Sequence, residues 1–531
     1  MSARRNLSED LFLPTVLFAA IGGMTWAVRG SSGYGASAGC IFAGVLLGTA
    51  WWFIAREPTL QQSRRYASGW IILAMTVAFG IAGNRGWMQW PGFFDNKLAL
   101  DYGHGNFVYI SRGYGFLWMF LAGVPWAGLG ACFLAWCGSG RRTAGWQWIL
   151  RLLFGIGMAC LLGFVLFKQF PAVFLPLYDS LKDKYQSLNA YPNLAKLYRD
   201  NQEAMLQLGL YLGFLLFEVV RRDWRNVTLI AAVGVLNGLG WSLLQNWSWA
   251  HRFWPTAQFN FWRSWETSGG ISIGIAYGIA YYLVNRRTAA EAPTSRAKGA
   301  SPGPFRFGSL VAFIIFALLF AAISLEVLPP WLRGPRKLTG HDWWRLAGYG
   351  WPLAAVAMIF AIGHYIQSLL AARRAGAEKE AAWLASSVRL ERWAAYAGLI
   401  LGLGLSIKNG LKGWANVYLG NEDFWNHVFL NIMGPLMVLA LIVVSVWILN
   451  QPCRSGSQAD RFPHAYGMVW TAILVQNVLA QMITGPWSNW YEVVFNLYYL
   501  VLFFMTAVII YHYHFVQVHC FGRKPPLGAG G

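Results

Sequence analysis

The sequence predicts an all-α polytopic integral membrane protein with about 14 transmembrane helices, and three observations carry that expectation. Apolar runs of about 20 residues, each enough to cross a bilayer as a helix, recur from one end of the 531-residue chain to the other. Charged residues make up only 12% of the chain, against roughly 25% in an average soluble protein. Hydrophobic residues make up 56% and aromatic residues 17%, which excludes an ordinary soluble enzyme.

Hydropathy places spans near 11–29, 37–55, 69–87, 114–137, 146–168, 204–221, 226–246, 266–285, 307–328, 350–372, 391–409, 427–450, 464–484 and 490–514, with ends good to about 2–4 residues. The start, MSARRNLSED, runs into the first span without a small-residue cleavage site and reads as a retained cytoplasmic lead. An even count puts both termini on one side. Lys and Arg are densest on that side, at Arg221, Arg222 and Arg225, then Arg286 and Arg287, then Arg373 and Arg374. Positive charge is retained in the cytoplasm, so both termini are expected there, with the protein in the plasma (cytoplasmic) membrane. A polar, Pro- and Gly-rich linker at 288–305 separates an N-terminal membrane half, 1–287, of about eight spans from a C-terminal half, 306–531, of about six.

The net charge of +20 is spread in short clusters between apolar segments, so it reflects topology and no nucleic acid partner is expected. The expected partners are the lipid bilayer and a small polar or amphiphilic ligand, with the oligomeric state left open. Cys40, Cys132, Cys137, Cys160, Cys453 and Cys520 form no CxxC and no paired loop framework, so neither a structural disulfide nor a zinc site is expected. No cofactor is implied: the glycines at 30, 33, 35 and 39 miss both phosphate-loop patterns.

A candidate internal repeat links the halves. Gly238-Leu239-Gly240-Trp241-Ser242-Leu243 is similar to Gly402-Leu403-Gly404-Leu405-Ser406-Ile407. Each is followed by amides, a tryptophan-rich outer loop, and a span opening with Trp265-Glu266 or Trp425-Asn426. Two more hairpins share the outline: Asn84 precedes Trp87 and Trp90, and Gln476 with Asn477 precedes Trp487, Trp490 and Glu492. Related hairpins around one site are a transporter feature, although sequence rich in Gly, Leu and Trp also matches by chance.

The outer tryptophans form either an interfacial belt or a platform on which a ligand stacks while Asn84, Gln245, Asn246, Asn409, Gln476 and Asn477 bond its polar groups. Asn237, Asn431, Gln476, Asn477, Gln481 and Asn496 lie within spans, where a buried amide either ties helices together or lines a path. Arg29 closes the first span at the face where the positive-inside trend disfavours it, and its fork of donors suits an anionic headgroup, carboxylate or phosphate if it does not merely snorkel. His364, one turn from Gln367, is the proton relay candidate, against a plain packing role. The substrate-binding candidates are Arg29, Asn84, Trp87, Asn246, Trp265, Glu266, Asn409, Trp425, Asn477, Trp490 and Glu492.

Other features have plainer readings. Glu218, with Arg221 and Arg222 three and four residues on, reads as a helix-surface pair. Leu177, Leu181, Tyr185 and Leu188 are spaced as an amphipathic helix on the outer membrane surface. His512, His514, His519 and Cys520 are poorly spaced for one metal. Glycines four apart, as at 44 and 48, or 270, 274 and 278, allow close helix contact.

Amides inside spans, repeated hairpins and an aromatic vestibule favour a transporter or permease for a polar, carbohydrate-like or amphiphilic solute. The competing reading is an outer-face enzyme acting on a lipid-linked sugar or lipid headgroup, with Glu422-Asp423 or Asp101 and His104 as its acids and bases. A non-catalytic assembly or sensor subunit is the third.

Overall fold

The protein is described from a computed structural model that covers residues 7–31, 36–56, 66–83, 90–101, 105–139, 143–244, 261–285, 391–400, 464–483 and 489–521, with isolated positions between them. The described residues are helical almost throughout. Its principal helices are α1 (Leu13–Ser31), α2 (Ala36–Ala55), α3 (Trp70–Ala82) and α4 (Gly113–Gly138). They continue with α5 (Gly145–Gln169), α6 (Pro192–Val220), α7 (Trp224–Leu244), α8 (Phe261–Asn285) and α9 (391–400). The last two are α10 (Ala465–Ile483) and α11 (Trp490–Phe521).

Among the described residues, seven helices are long and apolar enough to cross a membrane by length and composition, and α2 and α3 are shorter apolar helices. In hydrocarbon every backbone polar group must be bonded within the segment, which helices achieve. The expected spans at 307–328, 350–372 and 427–450 lie outside the described residues, as does the linker at 288–305.

The centre of the bundle is the pair α1 and α8. They run antiparallel, Thr15 lying against Gly278, Phe18 against Gly274 and Gly22 against Gly270. The approach is backbone to backbone. A Cβ placed on Gly22 would lie 2.1 Å from the Gly270 carbonyl oxygen, and one on Gly274 would lie 2.1 Å from that of Phe18. Small residues at a helix crossing let backbones meet this closely. Gly44 and Gly48 do the same for α2 against α3, and Gly398 of α9 sits against Leu73 of α3.

Around this pair α4 packs on α3 and α7, α5 packs on α6, and α10 and α11 cover α1. Side chains bond across the contacts to carbonyls of other helices: Tyr277 to Ala127, Tyr281 to Ile54, Trp241 to Gly269 and Gln476 to Ile21, at 2.8, 3.1, 3.1 and 3.1 Å. Asn237 donates to the Gly123 carbonyl at 2.7 Å and accepts from Ser272 at 3.3 Å. Of the two readings open to Asn237, holding the bundle together is the one its contacts match.

Two local features depart from the sequence reading. The segment before α4 carries a small antiparallel hairpin, β1 (Lys97–Ala99) with β2 (Phe107–Tyr109), in which Leu98 faces Val108. Asp101 accepts from Asn106 in its exposed loop at 3.4 Å. Between α5 and α6 there is no continuous amphipathic helix from 177 to 188. Leu177 has a positive φ of 56°, which interrupts a right-handed helix, and only Lys182–Gln186 is helical. Leu181 and Tyr185 are buried within the protein, and the Tyr185 hydroxyl donates to the Pro176 carbonyl at 3.0 Å. Burial pushes the Tyr185 phenol up, so it stays a neutral donor.

Gly270→Val is expected to force α1 and α8 apart at a cost of about 1–3 kcal/mol by overpacking. A lowered unfolding midpoint of the detergent-purified variant is the readout, and an unchanged midpoint would show that the close crossing does not hold the bundle.

Candidate functional site

The first turns of α8 read Phe261-Trp262-Arg263-Ser264-Trp265-Glu266-Thr267. Arg263 and Glu266, three residues apart, turn to different neighbours. Glu266 meets Arg29 of α1, one guanidinium nitrogen donating to both carboxylate oxygens at 3.1 and 3.0 Å. Arg263 donates to Glu492 of α11, and its guanidinium lies 5.1 Å from the Phe495 ring centroid. Three helices distant in sequence are thus tied by two ion pairs, all four residues being at most 6% exposed.

Arg29 rests on aromatic faces. Its guanidinium is 5.0 Å from the Trp126 ring centroid and 5.6 Å from that of Trp26, and Trp241 completes the cluster 5.0 Å from Trp126. Cys40 of α2 adjoins the guanidinium from another side. Trp126 stands midway along the 26-residue α4, about 18 Å from either end at 1.5 Å per residue. The Arg29–Glu266 pair is therefore well inside the bundle, at a depth where an uncompensated charge is costly. The Trp26 indole N–H, fully buried beside it, has no acceptor within reach.

A second charged cluster sits where α4 gives way to α5 and α6 to α7. Arg151 of α5 donates through Nε and Nη2 to one oxygen of Glu218 on α6, at 3.0 and 2.5 Å. The other oxygen accepts from Asn226 of α7 at 3.0 Å, and Asn226 in turn accepts from the Tyr66 hydroxyl at 2.7 Å. Trp148, Trp136 and Phe217 pack on the Arg151 guanidinium at 4.5, 4.8 and 5.2 Å. Burial above all, with the Asp223 and Glu218 carboxylates adding to it, pushes the Tyr66 phenol well up, which keeps it a donor. Glu218 keeps an ion pair with Arg221 at 3.8 Å, but it is fully buried rather than on the helix surface and is held most closely by Arg151, whose guanidinium three aromatic rings shield from water.

The sequence-predicted candidates divide three ways. Arg29, Glu266 and Glu492 come into the linked pairs. Trp265 is buried beside them, its ring 4.5 Å from Trp262. Asn477 is half-buried on α10, one residue past the Gln476 that binds α1, and its Nδ2 has no partner within reach. Trp490, at the start of α11, is 60% exposed. Asn84, Trp87, Asn246, Asn409, Trp425 and His364 lie outside the described residues, as do His104, Glu422 and Asp423. His512 faces the Glu9 carboxylate at 3.6 Å while His514 stacks on Tyr466, so these two point to different partners.

Arg263 and Arg151 were missed. Arg263 fell just before the expected span at 266, and Arg151 fell inside the one at 146–168. The available signal for Arg151 was an intramembrane arginine next to Trp146 and Trp148, which calls for a buried counter-charge. Compared with known protein families, curated proteins and solved structures, the chain matches none.

Glu266→Gln strands Arg29 and is expected to cost about 3–5 kcal/mol, the scale for breaking one side of a buried pair. Arg29→Met combined with Glu266→Leu removes both charges and is expected to recover most of that loss. Thermal unfolding of both variants checks this: a double variant no better than the single one would show that the pair is not coupled.

Proposed function

We propose that the protein is a transporter or permease for a polar, carbohydrate-like or amphiphilic solute, built of about 14 spans in the plasma membrane with both termini cytoplasmic. The observation that supports it best is the Arg29–Glu266 pair, whose guanidinium rests on Trp26 and on Trp126, the latter midway along a membrane-spanning helix. Burying charges at that depth is costly and gains no fold stability over apolar packing. Such charges mark paths along which polar solutes or ions move, and the discontinuous helix ends of transporters gather there. Arg263–Glu492, linked through the same turn of α8, extends the polar strip toward α11. The tryptophans supply faces on which a sugar ring stacks, and the in-span amides supply neutral donors and acceptors.

The enzyme reading draws less support. Glu266 and Glu492 each hold an arginine, so neither is poised as a general base.

Reconstitution into liposomes tests the proposal, with uptake of labelled glucose, myo-inositol, sucrose, glycine and glutamate measured against protein-free vesicles. Uptake of one neutral polyhydroxyl solute is expected, falling more than about tenfold, equivalent to ~1.4 kcal/mol, in a folded Glu492→Gln variant. No uptake of any of the five by folded protein, or uptake indifferent to Glu492, would sink the reading.

A further inference from the structure

Between α10 and α11 lies a group of neutral polar side chains whose hydrogen-bonding capacity the protein leaves unused. Asn496 is completely buried, yet neither its Nδ2 nor its Oδ1 has a partner within reach. Gln481 donates through Nε2 to the Asn496 backbone carbonyl at 3.3 Å, which fixes the two side by side, while its Oε1 accepts nothing. Asn477, one turn from Gln481 on the same face of α10, has a buried Nδ2 without a partner. Tyr499, one turn beyond Asn496, is 1% exposed and turned to Thr267 of α8, which donates to the Arg263 carbonyl and can accept from the phenol. Asn496 follows Glu492 at four residues, so the unused groups continue the polar face of α11 that begins at the Arg263–Glu492 pair.

Buried polar groups in native proteins are nearly always bonded, and in hydrocarbon an unmet donor or acceptor is more costly still. Several such groups clustered between two helices mark a place whose partner comes from outside the chain. Their chemistry selects that partner. A cation needs a carboxylate, and Glu492 is held by Arg263; an anion needs a guanidinium, and Arg263 is held by Glu492. What remains are amide N–H donors and amide carbonyl acceptors. A hydroxyl group, which donates and accepts at once, matches that set.

We propose that Asn477, Gln481 and Asn496 form a subsite between α10 and α11 that hydrogen-bonds the hydroxyls of a neutral polyol or sugar. The solute's being cargo rests on the transport reading; the subsite itself does not.

The test uses the full-length protein in a detergent without a sugar headgroup, because maltosides would occupy the site. With no solute present, Asn496→Leu removes an unmet amide and is expected to raise the unfolding midpoint by roughly 2 °C. Asn477→Leu, which removes the unmet Nδ2 on α10, is expected to shift it in the same direction and serves if the Asn496 variant does not fold. Myo-inositol or glucose at about 100 mM is expected to raise the midpoint of the unsubstituted protein through binding to the folded state, and to leave both variants unmoved. A lowered midpoint in both variants would show that these groups are bonded for packing and would overturn the subsite. A polyol shift that survives in the variants, or none with either solute, would overturn it as well. Glu492-dependent uptake without these shifts leaves transport standing and this subsite refuted; the shifts without uptake do the reverse.

Discussion

Arg29 can be kept inside the bundle only because α1 and α8 come close enough for Glu266 to reach it, and that closeness depends on residues without side chains. Gly22, Gly270 and Gly274 bring the two backbones together, and the pair forms one turn further along the same crossing. A charge at this depth has no water to turn to, so the geometry must supply its counter-charge directly. Once Glu266 is placed, the helical spacing of α8 sets Arg263 toward α11, and Glu492 answers it. The glycine crossing, the two ion pairs and the docking of α11 therefore depend on one another.

The same device appears twice in the bundle. Arg29 lies on Trp26 and Trp126 with Glu266 as its acid; Arg151 lies on Trp136 and Trp148 with Glu218 as its acid. In each case the flat guanidinium is stacked on aromatic faces while a carboxylate from another helix accepts its hydrogen bonds. The two clusters differ in what surrounds them. Around Glu218 both carboxylate oxygens are engaged, and Asn226 and Tyr66 carry the network on to a neighbouring loop. Around Arg29 the Trp26 donor is left over, and the polar strip through α8 leads to further unbonded amides on α10 and α11. Donors are left over around Arg151 as well, at its own Nη1 and at the Trp136 indole.

Much of the architecture was legible from composition and period alone. The spans read near 114–137, 226–246 and 464–484 coincide within a few residues with helices at Gly113–Gly138, Trp224–Leu244 and Ala465–Ile483, because hydrocarbon permits little else for a run of apolar residues. The glycines at 270, 274 and 278 were assigned to close packing for the same reason. Arg29, Glu266 and Glu492 stood out as candidates one at a time, since a charge beside an apolar run is conspicuous by itself.

Pairing was not legible. Arg29 and Glu266 are 237 residues apart, and Arg263 and Glu492 are 229 apart, so no local spacing links them. Glu218 shows the limit from the other side: its neighbours Arg221 and Arg222 offered a sufficient local explanation, and only the packing of Trp136, Trp148 and Phe217 turned it inward to Arg151. The break at Leu177 likewise depends on Leu181 and Tyr185 finding a place inside the protein instead of on the membrane surface. The sequence by itself determined that this chain is a helical membrane protein and which polar residues it places at apolar depth, because burial in hydrocarbon acts on each segment separately. The tertiary structure alone decided which charges meet and which amides are left unbonded, because those outcomes depend on distances between helices that hydropathy does not encode.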